Sequence, residues 1–162
     1  MGSTLTVDNI VGATTAANVK LPAGSVLQTV HSSFASQVYM ASTSMATSGQ
    51  SATITPKYSN SKILIMHKGT CYNEGNNLHQ YRTVYRGSTD LAPSAEGLTL
   101  HSAGTSSAGR WSSIGFDYLD SPATTNATTY TIYYRGNSNS SNSYYCYGAN
   151  YPQILILQEI SQ

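Results

Sequence analysis

The chain has 162 residues, enough for one domain with a real hydrophobic core. Only 9% of them are Asp, Glu, Lys or Arg, against roughly 25% in an ordinary soluble domain, and the net charge is +1. Eight basic residues dispersed from Lys20 to Arg135 cannot neutralise a row of phosphates, which argues against nucleic-acid binding and against a polybasic membrane patch.

Residues 1 to 24, "MGSTLTVDNIVGATTAANVKLPAG", carry apolar residues at Leu5, Val7, Ile10, Val11, Val19 and Leu21 with no sustained period of 3.6 or 2. Gly12, Pro22 and Gly24 punctuate the stretch. It is expected to be an extended arm whose apolar residues bury against a neighbour, an anchoring segment ahead of a domain spanning 25–162. Its first residues fit the loose N-myristoylation pattern, but no secretory apolar region is visible.

From Ser25 the signals are strands. "SVLQTVHSSF" alternates in part, "SATIT" is short and β-rich, and Pro56 ends it. "KILIMHKGTCY" sets Ile63, Ile65 and His67 on one face against Leu64, Met66 and Lys68 on the other. "LHQYRTVYRG" likewise separates Tyr81, Thr83 and Tyr85 from Gln80, Arg82, Val84 and Arg86. "WSSIGFDYL" alternates most cleanly, with Ile114, Phe116 and Tyr118 on one side. "TYTIYYRG", "SYYCYG" and "QILILQEI" complete the set. The last has apolar residues on both faces, the mark of a strand that is central or covered by a partner. Stretches rich in Ser, Asn and Gly separate the strands, and no segment of ten or more residues keeps a helical apolar stripe. The expectation is an all-β sandwich or jelly roll. "YLDSPATTNATTYTIYY", residues 118–134, reads as a hairpin that turns at Asp120–Ala123.

A search for chemistry finds no nucleophile elbow, zincin, phosphate-loop or dinucleotide motif. No catalytic, cofactor-binding or metal residues are nominated. His67, His79, Cys71 and Glu74 form the one local group with metal-ligand chemistry, and ordinary hairpin residues explain it better. Asp117 and Asp120 could be imagined as a carboxylate pair, but Asp120 before Ser121-Pro122 suits a turn. The two cysteines, Cys71 and Cys146, are too few for a disulfide scaffold, and whether they pair stays open. What stands out is "RGNSNSSNSYYCY", the mixture of rigid tyrosines and adaptable Ser, Asn and Gly that binding surfaces use. Trp111, Tyr133, Tyr144, Tyr145 and Tyr147 are the candidate contacts to a receptor or a neighbouring subunit.

The blocks "TVDNIVGATTAANVKLPAGSVLQ", "SATITPKYSNSKILIM", "YRGSTDL", "FDYLDSPATTNATTYTIYY" and "QILILQEI" resemble, in this order, small structural proteins of phages infecting marine and cyanobacterial hosts. Such proteins look like the trimeric jelly rolls of C1q and tumour necrosis factor. The resemblance implies a non-enzymatic homotrimer on the virion surface, a tail-fibre-like component that partners other virion proteins and contacts a host glycan or protein. The alternative is a head fibre or capsid decoration protein, and a free carbohydrate-binding lectin-like sandwich is a third reading. The chain departs from the resemblance in having no long shaft between arm and domain.

Overall fold

The computed structural model describes residues 21–39, 42–73, 77–102, 110–138, 143–146 (backbone alone) and 150–162. The expected arm residues Leu5, Val7, Ile10, Val11 and Val19, together with Glu74 and Tyr147, lie outside them.

All described secondary structure is β. In chain order the strands are β1 (Val26–Phe34), β2 (Val38–Tyr39), β3 (Ala46–Ile54), β4 (Lys62–Asn73), β5 (His79–Arg86), β6 (Thr89–Asp90), β7 (Thr99–Ser102), β8 (Arg110–Asp120), β9 (Thr128–Gly136), β10 (Ser143–Cys146) and β11 (Gln153–Ile160). They form two antiparallel sheets. The six-stranded sheet runs β1-β11-β4-β8, with β10 and then β2 continuing beside the far end of β4. The five-stranded sheet runs β3-β9-β5, and β6 and β7 share the free edge of β5. The long strands repeatedly cross from one sheet to the other, so that β1, β11, β4 and β8 face β3, β9, β5 and β7. This is the jelly-roll sandwich that the strand pattern leads one to expect.

Alternation fixes which side of each strand enters the core. Ile63 and Ile65 of β4, Val84 of β5, Phe116 of β8, Tyr130, Ile132 and Tyr134 of β9, and Leu155 and Leu157 of β11 interlock between the sheets. Each fully buried aliphatic side chain there contributes roughly 1.5–3 kcal/mol. On β5 the buried residues are Gln80, Arg82 and Val84 on the inward face and Thr83, hydrogen-bonded to Asp90, on the other, so a polar layer enters the sandwich beneath one pole.

The stretch 118–134 is not a hairpin. Its first half ends β8 in the six-stranded sheet and its second half is β9 in the five-stranded sheet. Residues 121–127 cross between the layers, through Pro122 and an Ala123 held at φ 54. Asp120 does not make the turn either. It is buried and accepts both contacts of the Arg86 guanidinium at 2.8 Å and the Tyr130 hydroxyl at 2.7 Å. Burial, then that hydrogen bond to a carboxylate, pushes the Tyr130 phenol far up. The triad ties β8 to β5 and β9 in the opposite sheet, which a hairpin reading could not have placed.

The sandwich has two distinct poles. At one, the chain enters through Leu21–Ser25 beside the C-terminus: Gly24 N–H donates to the Ser161 carbonyl at 2.8 Å, and Ser161 N–H to Ser25 at 2.9 Å. Glu159 holds this pole together by accepting from Lys57 N–H at 2.7 Å and the Gln28 amide at 2.6 Å. The other pole gathers the ends of β1, β4, β7 and β9 with the starts of β3, β5, β8 and β11.

Candidate functional site

The two outward faces of the sandwich differ in chemistry. On the five-stranded sheet, Thr47, Ser51, Thr53, Thr129 and Thr131 make a hydroxyl surface, with Thr53 and Thr129 hydrogen-bonded at 2.8 Å. Tyr85 and Tyr133 stack across β5 and β9 at 3.9 Å between ring centroids, and the Arg135 guanidinium lies 3.9 Å above the Tyr81 ring. Burial and the nearby Asp90 raise the Tyr85 phenol above its ordinary value. Tyr133, a sequence candidate, is therefore already engaged by its neighbours. This face obeys the usual rule that a solvated antiparallel sheet is polar outside.

The six-stranded sheet breaks that rule. Register sets His31, Ile156, Met66 and Asp117 in one cross-strand row, and Thr29, Gln158, Leu64 and Leu119 in the next. Ser33, Ile154, Lys68 and Gly115 follow, and Ile160 and Lys62 pair at the arm pole. Ile154, Ile156, Ile160, Leu64 and Met66 are half-buried, and Leu119 is 49% exposed. Val26 and Leu21, beside them at the arm pole, are 47% and 41% exposed. Contiguous outward apolar side chains of this kind mark an interaction surface. Of the expected arm residues, Leu21 alone is described, and it sits at this edge.

Toward the opposite pole the same face becomes aromatic. Tyr72 pairs with Trp111 on β8 and with Tyr144 on β10, which pairs with Tyr39 on β2. Four aromatic positions thus fall in one row over four strands. The Trp111 ring lies 4.7 Å from Tyr72 and 4.6 Å from Tyr151. Beside this row, Lys68, Gly69, Ser113, Ile114 and Gly115 line an open hollow of about 360 Å³ between β4 and β8. Gly115 brings no side chain opposite Lys68, and its backbone approaches so closely that a Cβ would sit 2.5 Å from the His67 carbonyl oxygen.

Sequence reasoning found Trp111 but missed Tyr72 and Tyr151, because the three are separated by about 40 residues along the chain at each step. Only pairing of β4 with β8 could signal the first contact. Tyr144 and Tyr145 lie on β10 at the same pole.

The groups weighed for chemistry separate. Asp117 points outward from β8 while Asp120 points into the sandwich, so they cannot act on one bond. Among the described residues no three His, Cys, Asp or Glu side chains come together. Cys71 is a free, buried thiol 3.5 Å from the Ser112 carbonyl, and burial raises its pKa. His67 is buried and stacked on Phe116 at 5.3 Å.

No family model and no curated protein matches the chain. Among solved structures it is similar to a chain of "Crystal structure of the T13 IBDV viral particle reveals a missing link in icosahedral viruses evolution", with a TM-score of 0.45 and 9% identity. That likeness covers 85% of this chain and 37% of the other, so the chain spans little more than a third of that protein, and the jelly-roll assignment rests on strand order.

Proposed function

We propose that this chain is a non-enzymatic virion structural protein that assembles with copies of itself, as a homotrimer, through the half of the outer face of its six-stranded sheet that lies toward the arm pole. The observation that carries this reading is the apolar stripe of Leu64, Met66, Ile154, Ile156, Ile160 and Leu119 on a face that a solvated sheet would keep polar. Lys62 and Asp117 supply both signs of charge on the same face, so that copies can pair opposite charges across the contact. The hydroxyl-rich face of the other sheet would then remain toward solvent.

The polarity of the domain supports a surface fibre-like component. Residues 1–20 lead into Leu21 at the pole of the C-terminus, and the row of Tyr39, Tyr144, Tyr72 and Trp111 lies at the opposite pole. An arm anchored to the particle would direct the aromatic pole outward.

Light scattering on the purified chain tests the assembly. The expected mass is three times the 17.3 kDa chain, and Ile156→Asp should reduce it toward one. A folded wild-type protein that stays monomeric at micromolar concentration would sink the proposal. Removing residues 1–20 leaves the Gly24–Ser161 pairing intact, so it should preserve the folded oligomer and abolish incorporation into particles. Normal incorporation of that truncation would rule out the anchoring role, and tens of copies spread over a head would favour decoration over a tail fibre.

A further inference from the structure

We infer that the aromatic row and the hollow beside it form a glycan-binding site that favours an acidic sugar. Use of such a site for attachment rests on the outward placement of this pole proposed above, but the chemistry stands on its own residues.

Trp111 and Tyr151 are 45% and 42% exposed, and Tyr39 at the far end of the row is 51% exposed. Trp and Tyr side chains combine an apolar ring with a polar tip, a chemistry that suits the C–H groups and hydroxyls of pyranose rings. Successive positions in the row are one strand apart, about 4.7–4.9 Å, so Tyr39 to Trp111 spans roughly 15 Å. An extended oligosaccharide can lie along such a line. The hollow adds what a bare aromatic patch lacks. It has the size of a small ligand pocket, and Lys68 and Ser113, a cationic and a hydroxyl residue, are among those that line it. A lysine in a site otherwise walled by glycine, serine and isoleucine, with no carboxylate among them, matches the carboxylate of a uronic acid better than an uncharged ring.

Trp111 is the single tryptophan of the chain, so its fluorescence reports on the site directly. Titration of the full-length protein with oligogalacturonate should give a saturable spectral shift, and maltohexaose a weaker one. By calorimetry, Trp111→Ala and Tyr151→Ala should each weaken oligogalacturonate binding by about tenfold or more. Lys68→Ala should weaken the acidic ligand and leave the neutral one unchanged. Trp111→Phe keeps a stacking ring and should retain most of the affinity, which separates binding from folding.

The inference is overturned by the absence of saturable binding to both glycans and to a glycan array, or by full binding in Trp111→Ala and Tyr151→Ala. A lowered solution mass of Trp111→Ala would overturn it too, by making the row a subunit contact. Assembly is read separately: if Ile156→Asp leaves the mass unchanged, the proposed oligomer interface fails while glycan binding can still be intact.

Discussion

Arg82 carries its guanidinium into the interior of the sandwich, where it is 0% exposed. It donates to the Gln153 side-chain oxygen at 2.8 Å, and Gln153 donates in turn to the Thr70 carbonyl at 2.8 Å. Gln50 reaches the Gln153 carbonyl at 3.0 Å and Gln80 the Tyr72 carbonyl at 3.1 Å, so amides surround the charge. Burial, and then the positive charge of Arg82, hold His67 well below its ordinary 6.5. His101 is shifted the same way by burial, Arg82, His79 and Arg110. A histidine neutral in the folded state and protonated in the unfolded state supports stability above the unfolded pKa. That support is lost as pH falls below 6.5 toward the folded value, by up to about 1.4 kcal/mol per pH unit for the buried His67 and by less for the half-buried His101. The urea midpoint should therefore drop between pH 7.5 and pH 5, and His67→Phe should make the drop shallower. An unchanged pH profile in that variant would show that His67 is not the group responsible. The alternation on β5 was readable in the sequence, but not its sense: a polar set facing inward follows only from the partners that Gln153, Asn73 and the Tyr72 carbonyl provide from other strands.

Strands β4 and β8 pair along eleven positions, from Ile63–Asp120 to Asn73–Arg110, and this pair is the backbone of both proposed surfaces. Gly115 permits their close approach. Its missing side chain also opens the hollow beside Lys68. In Gly115→Ala the added Cβ meets the His67 carbonyl, which belongs to the backbone and cannot rotate away. The substitution is expected to destabilise the fold by about 1–3 kcal/mol in urea denaturation, whereas Ser113→Ala, outward on the same strand, should stay within about 0.5 kcal/mol. Equal stability of both variants would mean that the strands separate at little cost. The crossover after β8 shows where local reading fails. Prolines and hydroxyl residues mark a reversal of direction, yet they do not say whether the returning strand pairs with its predecessor or joins the facing sheet. Here Asp120 decides it, by binding Arg86 and Tyr130 across the sandwich.

The whole domain presents little charge, and its described ion pair, Arg86–Asp120, has its carboxylate buried. Screening by salt acts on exposed charges beyond a Debye length of about 10 Å at 0.1 M and leaves a buried pair largely untouched. The melting temperature should consequently change by no more than about 3 °C between roughly 0.05 and 0.5 M sodium chloride. A large loss of melting temperature on adding salt would reveal a network of surface charges on which the fold depends. The same low charge leaves apolar and aromatic contact as the main means of recognition, and these are segregated: the aliphatic stripe lies toward the arm pole and the aromatic row toward the other.

Period-two alternation, turn residues and the absence of a helical stripe specified an all-β chain from local information, because a strand's two faces are written in adjacent letters. The apolar residues on both sides of Gln153–Ile160 pointed to a strand that is central or covered by a partner, and it lies inside the six-stranded sheet between β1 and β4. Tertiary structure alone decided which polar residues turn inward, that residues 118–134 bridge two sheets, and that Tyr72, Trp111 and Tyr151 meet. Those outcomes depend on pairing between strands distant in sequence, and a residue's own neighbours in the chain carry no record of the register that joins it to another strand.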